Sequence, residues 1–402
     1  MNADGLPDNM PLRSLCPRMV CTACGLIGAD VGATAVSRGL RRAVGRTAAS
    51  VLVHGGRAVP ATWNGAADNG DPAAFAFGPA GEVAGSEDML GSVQRDGDAL
   101  VRLNDAFTPD PIFLDVPPGV TVDGPVLVVH WCEPEATSFP RVCVRAGTGA
   151  AVSVVEVFAS PQTHGATRSL VVPVTELAAA DDASVSYVSL QTLAASAWSI
   201  ARLSARGGRN SSVRTFTVGL GAAYDRVRTD VTVDGKDARS EILSAYLGEG
   251  TQVHDIRTLQ DHAAPRTTSE LLCQGAVAGR SRSVYSGLIR VHRGAVRSDA
   301  RQTNHNLVLD EGAHADSVPN LDILENDVKC SHASTVGPVD EDQRYYIESR
   351  GVAPEVAEGL IVRGFFDAII ERGPVPETTS LLEREVHARL DAALRGRQVA
   401  GV

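Results

Sequence analysis

From about residue 110 onward, apolar side chains recur at every second position in short runs, and turn-forming residues separate the runs. Val227-Arg228-Thr229-Asp230-Val231-Thr232-Val233 alternates almost without error, and Leu307 and Leu309 alternate with Asn306 and Val308. A period of two marks a strand with one buried face. The turns carry more information than the strands. Glycines stand at 207, 221, 235, 250, 279 and 294, and Pro265 fills the slot between 250 and 279. One strand plus one turn therefore takes about 14 to 15 residues, and two such units make a flattened coil of about 28 to 30. That repeat is expected of a β-solenoid, in which successive coils stack over a shared interior. A β-sandwich also repeats short strands, but it needs hairpins, and Asp234-Gly235 is the one clear two-residue hairpin turn in this region. The pattern favours stacked coils and a mainly β chain.

Past residue 335 the period becomes helical. Asp340 and Gln343 make a capping-box-like start to a helix through Tyr345, Tyr346 and Ile347, which Gly351 stops. Pro354 suits the first turn of a second helix, with Val356, Leu360, Ile361, Phe365 and Ile369 returning along it and Gly373 at its end. Ser380 and Glu383 open a third, carrying Leu382, Val386, Leu390 and Leu394. The expected arrangement is a helical cap over the open end of the solenoid, where unpaired strand edges need cover. Three regions follow: 1–80, an uncertain N-terminal region, partly helical or flexible; 81–335, the solenoid core; and 336–402, the C-terminal helical domain. Within the first, the Ala and Arg content from Val31 to Ser50 allows a basic helix with Arg38, Arg41, Arg42 and Arg46 on a solvated face, and Asn64 to Pro72 reads as a linker.

Composition narrows the function classes. Aromatic residues are only 4% of the chain, so the core is built from small and β-branched side chains that suit closely stacked strands. With 37 basic against 48 acidic residues the net charge is -11, which disfavours a role tracking nucleic-acid phosphates. Seven cysteines, an odd number thinly spread, fit a reducing cytoplasm better than a disulfide framework. Asp4 and Asp8 stand where a secretory peptide wants positive charge, and no run approaches the roughly 20 apolar residues of a membrane span, so direct membrane insertion is not expected.

Several groups are candidates for chemistry. Cys330 and His332, in Asp327-Val328-Lys329-Cys330-Ser331-His332, are two positions apart, so in a strand both project from one face and can bind one metal ion or cluster. On spacing alone a core thiol beside a surface imidazole is the simpler reading. Cys16, Cys21 and Cys24 form a C-x4-C-x2-C cluster without an obvious fourth ligand, and incidental cysteines explain it more simply. Cys132, Cys143 and Cys273 sit among small or apolar neighbours, as core thiols do. His254, His262, His292, His305 and His314 form a loose population; His262 and His292 are about one coil apart, although unrelated surface histidines account for them more simply. Asp225, Asp230 and Asp234 would serve a β-helix carbohydrate-active enzyme, but alternation and turn preference explain them as well. Gly219-Leu220-Gly221 lacks a Gly-Lys-Ser/Thr sequel, so any ATP hydrolysis belongs to another subunit.

Between Arg301 and Phe366 the chain resembles the C-terminal signature of the SufB/SufD family, scaffold components of an iron-sulfur cluster assembly complex. The matching words are Pro319-Asn320-Leu321-Asp322-Ile323, Asp327-Val328-Lys329-Cys330-Ser331-His332, Thr335-Val336-Gly337, Asp340-Glu341-Asp342-Gln343 and Ser349-Arg350-Gly351. The Lys-Cys-Ser-His spelling followed by Thr-Val-Gly points to the SufD branch. The resemblance implies a right-handed parallel β-helix and a noncatalytic subunit of a SufBCD-type complex. It further implies that His332, and to a lesser degree Cys330, lie at the interface with a SufB-type scaffold, where a transient iron-sulfur cluster is built. A SufC-type ATPase is expected to dock on the C-terminal helices, for which Phe365 and Phe366 are the candidates. A homodimer of the isolated chain and a reduced flavin in the complex stay open. A carbohydrate-active enzyme and a purely structural adaptor remain the alternatives.

Overall fold

A computed structural model describes residues 29–59, 74–94, 97–162 and 168–400. The Cys16, Cys21 and Cys24 cluster and the Asn64 to Pro72 stretch lie outside these residues. The chain winds as a parallel β-solenoid between two sheets. Sheet one stacks Ala49–His54, Val126–Trp131, Ala151–Ala159, Ser184–Thr192, Ser212–Gly219, Arg239–Gly248, Thr268–Val277, Asp299–Val308 and Lys329–Gly337 in that order. Sheet two stacks Ile112–Val116, Arg141–Ala146, Val174–Ala179, Ala197–Gly207, Tyr224–Val233, Val253–His262, Arg282–Val291 and His314–Ile323. Tyr224 pairs in parallel with Val253 and Val253 with Arg282, each 29 residues on, while Ser212 pairs with Arg239 after 27 and Arg282 with His314 after 32. The glycine spacing thus reads the coil length correctly.

The corners explain the glycines. At Gly235 an added Cβ would stand 2.0 Å from the backbone nitrogen of Arg209 and the carbonyl carbon of Gly208 in the preceding coil. Asp234-Gly235 is therefore a stacked corner between the two sheets and not a hairpin. Gly250 turns another corner in the left-handed region, with φ of +58°.

The two faces of sheet one are both covered. Inside, Val51, Val126, Val154, Val185, Val213, Ile242 and Leu271 meet sheet two in a continuous core. Outside, Leu127, Val157, Leu190, Phe216, Val218 and Leu243 pack beneath helices. These are α1 (Ala29–Val44), α4 (Pro354–Ile370) and α5 (Thr379–Ala400); α2 (Ala99–Phe107) and α3 (Glu341–Glu348) are the other α-helices among the described residues. Burial on both sides turns strands such as Val126–Trp131 into unbroken apolar runs. The outer face of sheet two is instead laced with ion pairs between coils, such as Arg202 with Asp230 at 2.6 Å and Arg206 with Asp234 at 2.6 Å.

Two sequence expectations change. The C-terminal helices lie along the flank of sheet one, not across the open end, because Val362, Phe366, Ile369, Leu382, Val386 and Leu390 join the core under that sheet's outer face. In addition, Ala49–His54, which the sequence leaves in the N-terminal region, pairs in parallel with Val126–Trp131 and so extends the stack.

α4 is also rotated from its expected face. It buries Ala357, Val362, Phe366, Ile369 and Ile370, while Val356 and Leu360 are 55% and 48% exposed. The segment is apolar nearly all round, so its periodicity alone does not choose a face. Small residues decide it: Gly359 lets Leu394 of α5 approach to 3.3 Å from where a Cβ would stand.

Candidate functional site

Sheet one ends at Lys329–Gly337, and among the described residues nothing pairs with its far edge. Sheet two ends likewise at His314–Ile323. The register places Cys330 directly over Ala300 and His332 over Gln302. Ala300 and Gln302 are buried inside the solenoid, so Cys330 and His332 stand on the interior-facing side of its last coil. Ser334, two positions further along, bonds Ser317 of sheet two at 2.6 Å, which fixes the same orientation. The expected projection of thiol and imidazole from one strand face is what the fold builds.

Their surroundings differ. His332 is exposed, whereas Cys330 is half-buried over a small cluster of Ile289, Val291, Ala295 and Ala300. That burial, with the Asp299 carboxylate second, pushes the Cys330 thiol above its ordinary range. Cys132, Cys143 and Cys273 are buried, as the sequence suggests, and burial pushes each up to about 12. Brief iodoacetamide treatment at pH 8 followed by peptide mapping should therefore label Cys330 ahead of those three. Asp299→Asn should quicken the Cys330 reaction by removing a charge that opposes the thiolate; an unchanged rate would show that burial alone sets the shift.

Beneath His332 the sequence reading missed Gln302. Its side chain is 2% exposed, and among the described residues neither its amide oxygen nor its amide nitrogen has a hydrogen-bond partner. The only signal for it is the inter-strand register, which the sequence alone does not supply. Around the open end Val318, Leu321, Leu324 and Val336 are exposed at 50%, 42%, 51% and 43%. Such a set of apolar side chains beside an unpaired strand edge is a surface suited to a partner.

The other candidates separate. Asp225 points inward while Asp230 and Asp234 point outward to arginines, so the three carboxylates do not share a face. Nothing in that arrangement favours glycoside chemistry. His254 and His262 are interior residues rather than surface ones. His262 bonds Thr267 and Ser269 at 2.7 Å each, and burial pulls its pKa down to about 4, so it is neutral. His262 and His292 are one coil apart but on opposite faces, since His262 pairs in register with Val291. Phe366 is wholly buried, and its neighbour Phe365 is half-buried against the same core. The exposed apolar residues of α4 are Val356 and Leu360, which line a groove of about 460 Å³ with Arg363, Asp391 and Leu394.

The fold thus ends on an edge strand, unpaired among the described residues, that carries a thiol and an imidazole on one face. The family model described as "SUF system FeS cluster assembly, SufBD core domain" matches residues 130–365, more than half of the chain. The chain belongs to the SufBD family of iron-sulfur cluster assembly proteins. It is 37% identical over 183 residues to an iron-sulfur cluster assembly SufBD family protein of Mycobacterium leprae, covering 44% of this chain and 47% of that one. It is 29% identical over 305 residues to the iron-sulfur cluster assembly protein SufD of Bacillus subtilis, covering 74% and 69%. To SufD of Escherichia coli it is 33% identical over 181 residues, covering 44% and 41%. The match spans about half the length of that Mycobacterium leprae protein and of a 36% identical SufBD family protein of Mycobacterium bovis. No helix among the described residues is long and apolar enough to cross a membrane.

Proposed function

We propose that this chain is a SufD-like, noncatalytic scaffold subunit of a SufBCD-type complex. It pairs through its open edge with a SufB-type subunit, lends His332 and Cys330 to a transient iron-sulfur cluster there, and holds a SufC-type ATPase on α4 and α5. The observation that carries this reading is the uncovered terminal strand Lys329–Gly337, with Cys330 and His332 on one face of it. Thiolate and imidazole both ligate iron, yet two residues do not complete a cluster, so the remaining ligands come from the partner. An edge strand flanked by exposed apolar side chains supports such pairing by strand addition.

Coexpression with SufB-type and SufC-type subunits, followed by mass measurement of the purified complex, tests the assembly. The expected particle contains both scaffolds with bound ATPase; recovery of this chain alone or self-paired in the presence of both partners contradicts it. For the dock, the exposed Leu360 is the informative position. Leu360→Asp should abolish ATPase capture while changing stability by no more than about 0.5 kcal/mol, and Phe365→Ala should weaken capture. Phe366→Ala should instead destabilise the fold by about 3–5 kcal/mol, since it empties a packed site. Undiminished capture by Leu360→Asp removes this groove as the dock.

A further inference from the structure

Deep in the solenoid one carboxylate and one imidazole meet, and among the described residues nothing else bonds them. Asp225 and His254 are register partners on adjacent strands of sheet two, and both side chains are 0% exposed. Among the described residues, neither Asp225 oxygen and neither His254 ring nitrogen has a hydrogen-bond partner. Asp225 Oδ2 and His254 Nδ1 stand 3.5 Å apart. That is long for a charge-assisted hydrogen bond, which runs about 2.7–2.9 Å. The interior does close such pairs elsewhere: His130 and Glu156, equally buried, lie at 2.7 Å. Two ligand atoms each about 2.0–2.2 Å from one tetrahedral ion are, by contrast, about 3.3–3.6 Å apart.

The space beside the pair agrees. Gly219 faces it from sheet one, and a Cβ there would stand 2.4 Å from Asp225 Oδ2 and 3.5 Å from His254 Nδ1. Only glycine lets the Asp225 carboxylate come this close to sheet one, since any side chain there would push it aside. Asp225 and Gly219 also line an internal cavity of about 30 Å³ together with Gln191, Ser199 and Thr217, more than the roughly 10–15 Å³ that one water needs. The Tyr246 ring lies against the His254 ring at 5.3 Å and holds its orientation.

We infer that Asp225 Oδ2 and His254 Nδ1 bind a single divalent first-row transition ion inside the solenoid, with water in the cavity completing its coordination. One imidazole nitrogen with one carboxylate oxygen suits Zn²⁺, Co²⁺ or Fe²⁺ better than the all-oxygen preferences of Ca²⁺ and Mg²⁺. Among the described residues no third His, Cys, Asp or Glu joins the pair, so water and neutral oxygens supply the rest. A bound dication also removes the penalty of burying a carboxylate without donors. The site lies apart from Cys330 and His332 and does not rest on the function proposed above.

The test uses the full chain carrying Cys330→Ser and His332→Ala, so that the open edge contributes no ligands. After incubation with Co²⁺ and desalting, this parent should retain about one equivalent more cobalt than the same chain with Asp225→Asn or His254→Gln, with a visible ligand-field band that both variants lose. Equal cobalt content and spectrum in the parent and in well-folded variants overturn the site. A crystal of the unaltered chain grown with Co²⁺ decides the matter without any variant. An anomalous peak between Asp225 and His254 is expected, and its absence in cobalt-loaded crystals overturns the assignment.

Discussion

Val231→Asp combined with Val233→Asp is expected to leave no soluble protein. The two valines lie two positions apart on one strand face, and both are buried, at 0% and 1% exposure. Their register partners are Ala205 and Gly207 in the coil before, and Gln260 and His262 in the coil after. Both nitrogens of His262 are already engaged by Thr267 and Ser269, so that imidazole is not free to pair with a new carboxylate. An uncompensated buried charge costs several kcal/mol, and two of them consume most of a net stability of about 5–15 kcal/mol. Alanine at both positions, which leaves cavities but buries no charge, should still give soluble protein, and this separates buried charge from a general intolerance of the strand to substitution. Expression of the inward double variant as a folded, soluble protein would show that the strand face is not a shared interior.

The solenoid was legible because its corners obey a steric rule that the sequence must display. Gly235 has backbone of the preceding coil at 2.0 Å from its missing Cβ, and no other residue fits there. The helices were legible as helices, with Asp340 accepting from the Gln343 backbone N–H as expected of a cap. Their placement was not. α4 is apolar around most of its circumference, so which stripe faces sheet one depends on the small residues at its contact with α5. The interior of the later coils was hidden for a different reason. Thr258, Gln260, His262 and Gln302 face inward yet are polar, so a hydrophobic alternation cannot find them. Cys330 and His332 were legible as a pair from their spacing, and their seat over Ala300 and Gln302 came only with the register.

The central claim is that the open edge supplies cluster ligands, and His332→Ala in the assembled complex should have an effect at least as large as that of Cys330→Ser. His332 is exposed on a terminal strand, so its replacement by alanine removes little packing and should leave the subunits associated. An imidazole ligates iron only through a neutral nitrogen, and alanine offers none. Cys330→Ser should have a comparable or smaller effect, since burial and Asp299 already hold that thiol in its protonated form more strongly than usual. The deciding measurement is the iron and acid-labile sulfide content of the His332→Ala complex, taken after size-exclusion chromatography has shown every subunit present. A marked loss of both relative to wild type is predicted. Wild-type iron and sulfide in an intact complex would contradict the account and leave the chain a structural adaptor that holds its partners in place.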